Sequence, residues 1–165
     1  MKKTLRVILV LGLLVGFLSV LSACSGSKHA YYKDQYITSQ VDPYVYSTDY
    51  QRVWQEARSI LFHHGFRVIP GADPSTIETD WALVSDNTYR RYLVTGYNYG
   101  DGRSTVHFDY YQETRNPGYS PYTTSGRDYD MEYQLIKAVE LSQWNQIEVS
   151  AQQFADAQVA AEESK

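Results

Sequence analysis

The chain holds a single cysteine, Cys24, among 165 residues. One thiol excludes an intramolecular disulfide and any zinc site built on cysteines. Positive charge is also scarce: 15 basic residues face 19 acidic ones, a formal charge of −4. That balance argues against a nucleic-acid partner, because phosphate binding needs clustered lysine and arginine. The longest apolar run, Val7 to Val20, is too short for a comfortable membrane span. There is no internal repeat and no G-x-G-x-x-G, Walker, H-x-x-x-H or G-x-S-x-G spacing. What is present fits a folded protein. Hydrophobic residues make up 43% and charged residues 21%, near the usual globular balance, and the length suits one domain or two small ones. Tyrosine is abundant, 16 against 5 phenylalanines.

The N-terminus has an order of its own. Lys2, Lys3 and Arg6 precede the apolar run, as in a secretory signal. The run ends in Leu21-Ser22-Ala23-Cys24, followed by Ser25-Gly26-Ser27. This stretch resembles the lipobox of bacterial lipoproteins. The resemblance implies that residues 1–23 are a signal peptide, that the Cys24 thiol accepts a diacylglyceryl group, and that the new amine is acylated, with palmitate incorporation as the signature. Each buried methylene contributes about 0.8 kcal/mol, so two or three acyl chains anchor a protein to a membrane durably. Ser25 rather than an aspartate follows the cysteine, which the resemblance associates with the outer membrane and its periplasmic face. Without residues 1–23 the chain keeps 12 basic and 19 acidic residues. Its net charge near −7 then offers no attraction to anionic head groups.

Residues 24–41 show neither helical nor strand periodicity and read as a lipidated tether; a folded domain is expected over 42–149 and a polar tail over 150–165. Within the domain, Tyr44 to Tyr46 is extended. Thr48-x-x-Gln51 makes a capping box, and Val53, Trp54, Ala57, Ile60, Leu61 and His64 recur at helical spacing before Gly65. This predicts a helix over Asp49 to His64. Phe66 to Ile69 reads as a brief strand. Ile77, Thr79, Trp81 and Leu83 alternate as one face of another. Arg90 to Tyr99 and Ser104 to Thr114 flank Gly100-Asp101-Gly102-Arg103 and form a hairpin. With Asp101-Gly102 as a two-residue turn, Leu93, Thr95 and Tyr97 lie opposite Tyr110, Phe108 and Val106 on the apolar face. Arg90 then faces Glu113, and Tyr92 faces Tyr111, on the open side. Residues 115–126 read as a loop. A second helix begins near Asp128 or Asp130 and runs toward Trp144 and Ile147, with too few apolar anchors to hold the tail beyond it.

The expected fold class is α+β, an antiparallel sheet with two long helices on one face in a helix-grip-like arrangement. Trp54 is expected to cover the hairpin face of Leu93, Tyr97, Val106 and Phe108. The stretch Val53-Trp54, Leu61, Gly65-Phe66-Arg67-Val68 and Ile77-Glu78-Thr79-Asp80-Trp81 resembles the helix-grip domains of an outer-membrane lipoprotein accessory to the β-barrel assembly machinery. The resemblance covers Thr48 to Trp81 and transfers no binding residue.

No constellation commits the chain to catalysis. His63 and His64 point about 100° apart on a helix and cannot share a metal. His64 is expected to bond a free carbonyl at the helix end. His107 and Asp109 share a strand face with Tyr111, and a wet sheet surface explains them better than acyl transfer. Neither metal nor cofactor is implied. The tyrosines are the better lead. Tyr92, Tyr99, Tyr111, Tyr119 and Tyr122 would sit on or near the open sheet face, the hairpin tip and the following loop, and tyrosine suits interfaces. The expectation is a non-enzymatic, membrane-anchored lipoprotein acting as an interaction or assembly module in the cell envelope, with an envelope protein as partner. The alternative is a ligand-binding module with an apolar or glycan ligand in a sheet–helix cleft.

Overall fold

A computed structural model describes residues 26–71 and 73–164. Cys24 and the leader, with the lipidation expected there, lie outside the described residues. The chain forms two compact units. One is Thr38–Ile147, and the described part of the other is 26–37 with 148–164. Helix α1 (26–41) and helix α4 (Leu141–Glu163) each contribute to both.

The unit Thr38–Ile147 is α+β. Its antiparallel sheet has six strands: β1 (Val68–Ile69), β2 (Thr76–Thr79), β3 (Ala82–Ser85), β4 (Thr88–Asn98), β5 (Ser104–Thr114) and β6 (Tyr122–Arg127). They run in the order β1-β2-β4-β5-β6, with β3 also paired to β4. Helices α2 (Tyr50–His63) and α3 (Tyr129–Val139) pack on each other and on the central strands β4 and β5.

Helix α2 forms as its periodicity predicts, burying Val53, Trp54, Ala57, Ile60 and Leu61. Its cap differs from the expected box. Asp49, not Thr48, accepts from the backbone N–H groups of Gln51 at 3.0 Å and Arg52 at 3.2 Å. A carboxylate serves better there, because it also answers the positive end of the helix. Gly65 terminates the helix at φ +83, a conformation that costs glycine nothing.

The hairpin register corrects the expected one by a residue. The loop is Gly100-Asp101-Gly102, both glycines at positive φ, closed by Tyr99 N–H donating to the Arg103 carbonyl at 3.0 Å. Three loop residues instead of two place Tyr92 opposite Tyr110, Val94 opposite Phe108 and Gly96 opposite Val106. The β5 half of the apolar face is therefore Val106, Phe108 and Tyr110, as expected. The β4 half is Tyr92, Val94 and Gly96; Leu93, Thr95 and Tyr97 face the other way. Arg90 accordingly lies opposite Gln112, to which its guanidinium donates, and not opposite Glu113.

Trp54 is buried over this face, but its neighbours are Gly96 and Tyr50. A Cβ on Gly96 would lie 2.6 Å from the indole and 2.6 Å from the Tyr50 hydroxyl, and the Tyr50 and Trp54 rings stack at 5.6 Å. The missing side chain of Gly96 makes the room for the indole.

The expected single strand over Ile77 to Leu83 is broken. Asp80 N–H donates to the Arg67 carbonyl at 2.9 Å, and the Arg67 guanidinium binds the Asp80 carboxylate. Strands β2 and β3 both run antiparallel along the same side of β4, but the register slips by one residue between the pairs Glu78–Leu93 and Ala82–Arg90. The extra residue reverses the alternation, so Ile77 and Thr79 are buried whereas Trp81 and Leu83 are exposed. Residues 122–126, expected within a loop, form strand β6 with Arg127, paired to β5. Tyr46 makes an isolated bridge with Ser104, consistent with the extended stretch expected there.

The second helix is two. Asp128 caps α3 by accepting from Met131 N–H at 3.1 Å, and the chain breaks at Glu140 before α4. The Glu140 carboxylate accepts from the backbone N–H groups of Ser47 at 2.6 Å and Thr48 at 2.8 Å and from the Tyr44 hydroxyl. Burial acts to raise the Glu140 carboxyl, and the hydrogen bonds from Tyr44, Ser47 and Thr48 together outweigh it, leaving it below its ordinary value.

The other unit overturns the reading of residues 25–41 as irregular. Residues 26–37 are helical, as are 148–163. Within this unit Lys28 pairs with Glu162 at 2.6 Å, His29 with Asp156 at 3.1 Å, and Lys33 with Glu148. The Tyr36 and Phe154 rings meet at 5.4 Å. The three ion pairs run in opposite sequence directions, so the two helical segments are antiparallel. Ala151 and Ala155 are fully buried. Small side chains allow close helix approach, which is why few large apolar anchors suffice here.

Candidate interaction surface

Helices α2 and α3 cover one face of the sheet, the face of Tyr92, Val94 and Phe108. The expected surface tyrosine Tyr92 belongs to this inner face and is a correction. It is 2% exposed, meets the Phe66 ring edge-on at 4.7 Å and donates its hydroxyl to Asp128 at 2.6 Å. Burial, and next the bond to Asp128, push its phenol well above the ordinary range. The physical reason is the hairpin register, which turns every side chain of β4 over.

The outer face carries the opposite set. Side chains alternate along each strand, so Tyr89, Arg91, Leu93 and Thr95 of β4 join Glu113, Tyr111, Asp109 and His107 of β5, their register partners. Arg91 is the centre of a row. Its guanidinium carbon lies 5.3 Å from the centre of the Trp81 ring and 5.1 Å from that of Tyr111. Ser125 of β6 stands opposite Tyr111. Trp81 and Tyr111 are 41% and 38% exposed, apolar area that the two helices of the inner face do not cover. In the neighbouring row the Arg115 guanidinium lies 4.4 Å from the Tyr89 ring and holds Glu113 at 2.6 Å.

The remaining expected tyrosines are exposed but do not form one patch with Tyr111. Tyr99 sits at the hairpin tip, its ring 4.8 Å from Tyr97 and 5.6 Å from the Arg103 guanidinium. Tyr119 and Tyr122, 81% and 69% exposed, lie at the far end of the hairpin where β5 turns into β6. Eleven strand residues at about 3.4 Å each put these ends roughly 35 Å apart. Of the five, Tyr111 alone lies against the row of Arg91. Sequence reasoning missed Arg91 and Trp81. The available signal was an arginine and a tryptophan in or beside strands with apolar neighbours, and the slipped register hid that the guanidinium faces the indole ring.

The histidines are placed without a shared ligand. His63 Nδ1 lies 2.7 Å from the Ser59 carbonyl, the helix-end bond expected of its neighbour. His64 meets the Gln134 side chain at 2.9 Å. His107 Nδ1 lies 3.7 Å from the buried Glu132 carboxylate, which accepts from Phe108 N–H at 3.0 Å and from the Arg127 guanidinium at 2.6 and 2.7 Å. Among the described residues no group of three His, Cys, Asp or Glu side chains could hold a metal, and no helix is long and apolar enough to cross a membrane.

Clefts formed by the described residues flank the core. One of about 470 Å³ lies between the end of α2, strand β3 and the start of α3, and includes Phe66, Leu83, Arg90, Tyr92, Asp128 and Met131. Its polar members bind one another: Arg90 Nη1 donates to the Tyr92 hydroxyl at 3.3 Å, which donates to Asp128. A second, of about 610 Å³, is lined by Tyr50, Trp54, Gly96 and Tyr97 among others, and a third, of about 590 Å³, by Arg58, Phe62 and Phe66 with their neighbours. Arg91, Trp81 and Tyr111 line none of the three. Comparison with known proteins finds no matching family model, no matching curated protein and no matching solved structure.

Proposed function

We propose that the protein is a non-enzymatic lipoprotein of the bacterial cell envelope, anchored through Cys24 and acting as an interaction or assembly module whose outer sheet face contacts another envelope protein. The observation that carries this reading is the row Trp81–Arg91–Tyr111, three of the side-chain types that anchor protein interfaces, with the two rings exposed on either side of a half-buried guanidinium on one sheet face. The lipobox-like segment supplies the address, with the periplasmic face of the outer membrane as the expected location. The helix-grip likeness belongs to the same proposal, supported by two helices across one face of an antiparallel sheet.

A photoreactive amino acid placed at Tyr111, in intact cells that make the lipidated chain, tests the surface. A discrete protein adduct is expected there and none from the same group at Arg52, exposed on α2. Equal adducts from both positions, or none from Tyr111, overturn it. Anchoring is tested separately: Cys24→Ser should abolish palmitate incorporation, because a serine oxygen is a poor acceptor for the lipid. The second reading, a ligand in the cleft beside β3, rests on that cleft's volume. It predicts a small molecule retained by the protein in native mass spectrometry.

A further inference from the structure

Most arginines of the described residues hold carboxylates. Arg67 pairs with Asp80, Arg90 with Asp128, Arg103 with Asp101, Arg115 with Glu113, and Arg127 with Asp42 and Glu132. Arg52 and Arg58 stand exposed on α2, where water solvates them. Arg91 fits neither group. It is half-buried between two rings, its Nε is shut off from solvent with no hydrogen-bond partner, and no carboxylate of the described residues pairs with it. Its diagonal neighbour Glu113 is taken by Arg115.

We propose that Arg91, held between Trp81 and Tyr111, is the receptor for a carboxylate, supplied by an aspartate or glutamate side chain on the surface of a partner protein. The step rests on reading the outer face as a contact surface and adds the chemistry of what it contacts. A guanidinium offers a planar fork of donors matched to a carboxylate, and flanking rings fix its plane and displace water that would weaken the pair. A free small acid needs a concave pocket that buries most of it, and Arg91 lines none of the clefts described above. A macromolecule brings its own cover to a flat face. The 12 basic and 19 acidic residues that remain beyond residue 23 repel a polyanion. The matching segment therefore carries one carboxylate among neutral and apolar residues, the latter against Trp81 and the exposed Leu83.

The test titrates the lipidated chain from Cys24 onward, in detergent, with a capped hexapeptide holding one Glu among Leu and Thr, and with its Gln counterpart. NMR signals of the Arg91 Nε–H and the Trp81 indole N–H report the site. The Glu peptide is expected to shift both and to bind about tenfold more tightly than the Gln peptide, the loss typical of a central arginine anchor. Arg91→Gln should remove that preference. Equal affinity for the two peptides, or no shift with either, overturns the proposal. Equal shifts from sodium acetate overturn it in favour of a free acid, and tighter binding of oligogalacturonate in favour of an acidic glycan. Should Arg91→Gln melt early, the two-peptide comparison on the parent protein still decides. An adduct at Tyr111 that survives Arg91→Gln sinks the carboxylate and leaves the contact surface standing; absence of any adduct in the parent sinks the contact surface itself.

Discussion

The two faces of the β4–β5 hairpin are built from one pair of strands and obey different demands. On the inner face Val94 and Phe108 are fully buried, Gly96 yields its side-chain volume to Trp54, and Tyr92 finds Asp128 for its hydroxyl. Side-chain volume is filled there. On the outer face Arg91 has rings on both flanks but no carboxylate, and Tyr111 and Trp81 are left in part to solvent. A single-residue difference in loop length separates these environments, so the glycines at positions 100 and 102 decide which side chains become core and which become surface.

The sharpest way to break the comparison is to empty the inner face. Trp54→Ala should cost about 3–5 kcal/mol, as truncation of a buried aromatic does, a large share of the ~5–15 kcal/mol that holds a domain together. Urea melts should show the loss, and a midpoint near that of the parent would mean that the indole is not part of the core. Gly96→Val attacks the same contact from the sheet side and should also destabilise strongly. Next comes Glu132→Ala, which leaves Arg127 and the Phe108 N–H facing a void. Breaking a buried ion pair by removing one partner costs about 3–5 kcal/mol, and the same melts measure it.

Glu140→Gln sharpens the comparison with pH. Its folded pKa is depressed, so its stabilisation is complete above the unfolded carboxyl range near ~4.3 and is lost as pH falls through the lower folded value. The variant should be about 1–2 kcal/mol less stable than the parent at pH 7, and the gap should close in acid. A gap that stayed constant from pH 7 to pH 3 would show that the carboxylate charge does not matter. The smallest effect belongs to the outer face. Tyr111→Ser should change stability by no more than about 0.5 kcal/mol, the usual range for surface positions, while weakening the photo-adduct formed from a group placed at Leu83.

Legibility in the sequence followed how local the determining physics is. Helix α2 could be read because its stripe, the acid at its N-terminus and its terminal glycine all lie within one segment. The antiparallel hairpin could be read as a hairpin. Its register could not, because Asp101-Gly102 suits a two-residue turn, and only the Tyr99–Arg103 closure shows that Gly100 belongs to the loop as well. Strand β6 is composed of Tyr, Thr, Ser, Gly and Arg, and the edge of β5, not apolar alternation, makes it a strand. The helix at 26–37 escaped for the same kind of reason. Its half-buried residues include His29, Tyr32, Lys33 and Tyr36, a stripe whose meaning depends on partners more than a hundred residues away. Arg91 was hidden by two such non-local facts, the hairpin register and the one-residue slip between β2 and β3 that puts Trp81 on the outer face.

Strand β5 extends past the end of β6, and an uncovered strand margin is a template on which a second chain can grow sheet. Here the margin is occupied from two sides. Tyr46 exchanges backbone bonds with Ser104 at 2.8 and 3.1 Å. Farther along, Phe108 gives its N–H to the Glu132 carboxylate and receives Asp128 N–H at 2.7 Å on its carbonyl. A buried negative charge at that point does what a further strand would do for hydrogen bonding, yet offers no backbone on which pairing could continue. Glu132 thereby ends the sheet, and losing it should expose the molecule to self-association through β5 as well as to unfolding.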